Sequence, residues 1–189
     1  MSALMVVLVV LAAIAFLFVS WMITTSNNIN RIKIKIEESL SGVEIMLRQR
    51  YDVLMQGKKI AEQYAQHEKS VFEGLRNLSS VPSNASIDDL NRISENQEKA
   101  VKNLFALGEA YPELKSAEIF SNLLNKLSDL TQQYSASRRA VNGNITKLNN
   151  YVVTFPSSVI CGMKSVSKMD YIHEENMDQL KNVDLTMNL

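Results

Sequence analysis

Apolar positions along this chain follow two patterns. From Leu4 to Ile23 they form one continuous block, LMVVLVVLAAIAFLFVSWMI, without a charge. Such a run spans roughly 30 Å as a helix, the thickness of a bilayer's hydrocarbon core. A lone segment in lipid must satisfy its own backbone hydrogen bonds, so the block predicts one transmembrane helix, with Trp21 suited to the interface. A cleavable leader is disfavoured: no basic residue precedes the block, and bulky residues end it.

Beyond Asn28 the apolar residues become periodic. Ile32, Ile36, Leu40, Val43, Leu47, Leu54, Ala61, Tyr64, Phe72 and Leu75 fall at helical spacings, with Glu37, Glu44, Arg48 and Lys59 on other faces. No proline interrupts residues 28–78, so one long helix is expected there, with Gly57 as a candidate kink. Ser79 to Ala85 reads as a loop, and Ser86 with Asp89 has the spacing of a capping box. A second helix should run from there to Ala110 on Leu90, Ile93, Gln97, Val101, Leu104 and Leu107. Pro112 disfavours helix at Tyr111, which makes Tyr111 to Leu114 a turn. A third helix should run from Ser116 to Val153, on a stripe from Phe120 and Leu124 through Leu127, Leu130 and Tyr134 to Val141, Ile145, Leu148 and Val152, with Gly143 a soft point and Pro156 its end.

The expected architecture is all-α: a membrane anchor over 1–27 (helix about 4–23), an antiparallel bundle of three to four long helices over 28–155, and an apolar segment with a tail over 156–189. In that last part Val159, Ile160 and Met163 are apolar where the stripe has ended, which suits either a lid over the bundle or a surface for membrane or partner.

Composition narrows the functional classes. Twenty basic residues balance twenty acidic ones, leaving no cationic footprint for nucleic acid. Cys161 is the one cysteine, so no intrachain disulfide forms. Arg31, Lys33 and Lys35 just past the apolar block predict a cytoplasmic C-terminal body and an external N-terminus.

Candidate chemistry is sparse. His67-Glu68 starts like a zinc-protease motif, but Val71 stands where the second histidine belongs. Asp170 to His173 is a single loose variant of the paired Glu-x-x-His that di-iron bundles need. Cys161 with His173 lacks a third orienting group. No catalytic residue, metal site or cofactor is therefore predicted. Arg50, Tyr51, Asp52, Tyr64, His67, Glu68, Arg138 and Arg139 form the one notable set, either a buried polar network that fixes helix register or a patch for a partner or lipid headgroup.

Five blocks in order carry a resemblance: Arg50-Tyr51-Asp52, Tyr64 to Glu68, Ala110 to Lys115, Arg138-Arg139 with Asn142, and Phe155 to Met163. With Asp170-Tyr171 and Val183-Asp184, they resemble the LemA family over about residues 28–185. The resemblance implies a bacterial protein with one N-terminal membrane helix and a helical-bundle body, and it supplies no catalytic residues. Met55 stands where that family has proline, and Ala140-Val141 where it has an aromatic pair, which marks a divergent member. The expected function is a non-enzymatic, membrane-anchored interaction or scaffold protein in a bacterial inner or internal membrane, with an unidentified protein partner and lipid around its anchor. The alternative is an accessory factor or enzyme subunit acting on a membrane-associated partner.

Overall fold

The computed structural model describes residues 3–64 and 75–173. Within them the chain is all-α, and there are no strands. Helix α1 is Ala3–Tyr64, α2 is Ile87–Ala110, α3 is Pro112–Ser116, α4 is Glu118–Val153 and α5 is Ser157–Met163. The chain packs as two compact units. An N-terminal unit comprises Met1–Ser39 and Val141–Asp170, and a bundle unit comprises Leu40–Ala140 and Tyr171–Leu189.

In the N-terminal unit, α1 begins as a helix exposed on every side. Residues 4–19 are all exposed, Ser20 to Met22 are partly covered, and Thr25 and Ile29 are buried. Among the described residues α1 alone is long and apolar enough to cross a membrane, through this N-terminal run. The C-terminal part of α4 lies antiparallel against α1, burying Val141, Ile145 and Leu148. Asn144 donates from Nδ2 to the Lys35 carbonyl and to Ser39 Oγ, both at 3.3 Å.

After α4 the chain turns into α5, which buries Ile160 and Cys161. Its end is a Schellman motif. The Val166 N–H donates to the Cys161 carbonyl at 2.9 Å, the Ser165 N–H donates to Gly162 at 3.1 Å, and Ser165 takes the left-handed φ of 51°. Val166 at C″ is buried, the usual apolar complement of this cap. Lys164 Nζ then reaches back to α1, at 2.8 Å from both Ser26 Oγ and Asn30 Oδ1. Asn149 closes the unit by exchanging two 2.9 Å hydrogen bonds with the Met169 backbone. Residues expected to begin a tail are thus tied into a folded unit.

In the bundle unit, α1, α2 and α4 share one core of leucines and valines around Phe120. Contacts set the directions. Leu47 meets Gln97, and Gly57 meets Leu104, so α1 and α2 run the same way. Gly108 meets Phe120, and Arg50 meets Tyr134, so α4 runs opposite to both. The first and second long helices, expected to pack antiparallel in the bundle, thus lie parallel. By Pro82, whose carbonyl accepts from Arg48 Nη2 at 3.5 Å, the chain is back beside the middle of α1. The expected continuation of the first helix to 78 falls mostly on residues 65–74, outside the described residues.

Other expectations resolve clearly. The Ser86–Asp89 capping box is present, with the Asp89 N–H donating to Ser86 Oγ at 3.1 Å. Tyr111 to Leu114 is not a plain turn. Pro112 occupies the first position of α3, where its missing N–H costs nothing, and Leu114 drops into the core. Helix α1 passes unbroken through Gly57, and α4 through Gly143. Gly57 permits close approach: a Cβ there would sit 2.6 Å from Leu104 Cδ1 and 3.4 Å from Leu123 Cδ2.

Candidate functional site

The polar centre of the bundle unit is built around Arg50. This residue falls on the inward face of α1 between Leu47 and Leu54, and its side chain is fully buried. Its Nε donates to Gln97 Oε1 at 2.8 Å, and Nη2 donates to the Ser94 carbonyl at 3.2 Å. Nη1 lies 3.5 Å from Glu98 Oε2, a carboxylate that keeps partial contact with water. Gln97, also fully buried, passes the network on by donating from Nε2 to the Leu47 carbonyl at 2.9 Å. The planar guanidinium suits this arrangement, because its five donors fork toward several acceptors at once.

Aromatic contact completes the cluster. Arg50 Cζ lies 4.9 Å from the centre of the Tyr134 ring, and Arg138 Cζ lies 5.9 Å from the same ring. The Tyr134 hydroxyl is buried and has no hydrogen-bond partner among the described residues. Arg138, itself buried, donates from Nη1 to the His173 carbonyl at 3.1 Å. Asn91 on α2 holds the same stretch, accepting from the His173 N–H at 2.9 Å, and Ile172 between them is buried. The cluster thus joins α1, α2, α4 and residues 171–173 within one unit.

The structure divides the eight residues singled out from the sequence. Arg50 and Arg138 lie inside and meet at Tyr134. Asp52 and Arg139 are exposed, and Tyr51 is partly buried. The Tyr64 side chain, His67 and Glu68 lie outside the described residues. Three members were missed as polar partners: Gln97, Glu98 and Tyr134. Gln97 and Tyr134 were placed on the correct helix faces, and a glutamine among apolar stripe positions was the signal for a buried partner.

Other candidates carry less. Among the described residues no group of three or more His, Cys, Asp or Glu side chains gathers. Cys161 is buried, and that burial raises its thiol pKa against the smaller opposing pull of Lys164 and Lys33, so it rests as a neutral thiol.

These features define a class: an all-α protein with a helical bundle knit by a buried arginine cluster and an N-terminal apolar helix. The chain belongs to the LemA family, whose family model matches residues 39–186. The apolar run lies ahead of that match. Comparison with curated proteins finds no match.

Proposed function

We propose that this protein is a single-pass, membrane-anchored scaffold of the bacterial inner or internal membrane. Its helical body presents surfaces to a protein partner near the bilayer and performs no chemistry of its own. The observation that carries this reading is the change of environment along one uninterrupted helix. Residues 4–19 of α1 are apolar and exposed all round, as a helix solvated by lipid should be, while Thr25, Ile29 and Ile36 further along are buried by protein. A cleavage site near Ile23 would fall one turn before packed helix, which argues for a retained anchor over a leader. The buried arginine cluster fits the same picture, because its guanidiniums are consumed in joining helices and favour a register role over a catalytic one.

Two measurements test the proposal. The full chain should remain in the membrane pellet after alkaline carbonate extraction. Affinity capture from detergent-solubilised membranes should return a specific, saturable partner. Release into the supernatant would overturn the anchor, and substrate turnover by the purified chain would overturn the scaffold role.

A further inference from the structure

Outside the apolar run, nine large apolar residues are exposed among the described residues, and four of them fall between residues 153 and 163. Val153 is 55% exposed, Phe155 80%, Val159 55% and Met163 71%. Phe155, Val159 and Met163 are four apart. Val159 and Met163 stand one turn apart on the same side of α5, and Phe155 is exposed in the turn that leads into the helix. The buried pair Ile160 and Cys161 occupies the other side. The segment is therefore amphipathic, with its inner face packed in the N-terminal unit and its outer face bare.

Its level along α1 follows from contacts inside that unit. Asn144 lies beside Lys35 and Ser39. Val153 is nine residues further along an antiparallel helix, which brings it level with α1 residues 26–30. Lys164 marks the same level by grasping Ser26 and Asn30. Ser26 is only three residues, about 4.5 Å, past Ile23. The polar interfacial layer of a bilayer is roughly 5–8 Å deep on each side.

We infer that Phe155, Val159 and Met163 form a second membrane contact, dipping into the headgroup layer of the bilayer that α1 crosses, with the exposed Lys168 nearby to meet anionic headgroups. The inference rests on the transmembrane reading of α1. It divides the two roles open to this segment from sequence: Ile160 and Cys161 close the folded unit, while the outer stripe meets lipid.

The test uses the full chain, with Cys161 replaced by Ala, reconstituted in phosphatidylcholine–phosphatidylglycerol vesicles. An environment-sensitive fluorophore is placed at Phe16→Cys, Phe155→Cys, Val159→Cys or Lys147→Cys, and quenching by acyl-brominated lipid is compared with quenching by aqueous iodide. Positions 155 and 159 should be quenched by brominated lipid at least about two-fold more than 147, with position 16 quenched most strongly. Quenching at 16 without excess quenching at 155 and 159 would overturn the second contact and leave the anchor standing. Absence of lipid quenching at 16 would overturn the anchor and the contact together. Protection of 155 and 159 from both quenchers would show the stripe covered by another copy of the chain, which also overturns the inference.

Discussion

Arg50 occupies a stripe position otherwise held by leucine and valine, and its whole side chain is out of water. What keeps it there is the fork of Nε and Nη2 onto Gln97 and Ser94. Arg50→Lys keeps the charge and loses the fork, leaving a buried amide acceptor without its donor. That change should cost about 2–3 kcal/mol in urea unfolding of the detergent-solubilised chain. A loss below about 1 kcal/mol would show that the guanidinium geometry does not stabilise the unit. Ser165 offers the opposite sign. Its left-handed φ penalises any residue with a Cβ by roughly 1–2 kcal/mol, against less than about 1 kcal/mol of extra chain entropy for glycine. Ser165→Gly should therefore raise stability modestly, read as a higher melting temperature. At this scale the sequence marked Arg50 and Arg138 as unusual but not their partners. Gln97 and Tyr134 fit an amphipathic stripe, and periodicity reports which way a residue faces without reporting what it touches.

Whole helices were more legible. Start signals, the Ser86–Asp89 box and the prolines at 112 and 156 all act locally, so α2 and α4 came out within two residues of their ends. The pairing of α1 with α2 did not, because a stripe of period 3.6 is silent on direction, and the first proline after Asn28 is Pro82. Gly57 shows the same limit. Read alone it is a weak point in a helix, whereas in the structure it is where Leu104 comes closest. Gly57→Ala should gain about 1 kcal/mol of helix propensity and lose as much or more by displacing Leu104. In a Leu104→Ala background the same change should be clearly stabilising, giving a coupling of about 1 kcal/mol in a double-mutant cycle. Additive effects would show that the contact carries no energy.

The α2 cap adds a pH dependence. Hydrogen bonds from the Ser86 hydroxyl and backbone N–H lower the Asp89 pKa, so its stabilising contribution is present above the ordinary carboxylate pKa. It is lost as pH falls through the lowered folded value. Asp89→Asn should be less stable than the unaltered chain at pH 7, and the gap should close in acid. An equal gap at pH 2 would rule out the carboxylate.

For the molecule as a whole, the proposed scaffold role depends on which side of the membrane the proposed anchor leaves the helical body. Arg31, Lys33 and Lys35 lie on α1 past the apolar run, and all three are exposed. A C-terminal reporter active only in the cytoplasm should report correctly, and replacing the three with Gln should produce mixed orientation. Strong activity of an export-dependent reporter on the unaltered chain would reverse the assignment.

The hydrogen bond between Lys35 and Asn144 joins residues 109 apart, and that between Ser26 and Lys164 joins residues 138 apart. The apolar face of α1 that begins at Thr25 thus leaves the ribosome long before the residues that cover it. At about 5–20 residues per second, roughly 7–28 s of synthesis separate Ser26 from Lys164. Through that interval Ile29 and Ile36 have no native cover from residues 141–166, while the core that contains Leu54, Leu104 and Leu127 can already be completed. Translation order therefore lets the core of the bundle unit assemble before the N-terminal unit can close, with residues 171–173 joining the bundle unit last, and a ribosome stalled before codon 141 would leave Ile29 and Ile36 bare.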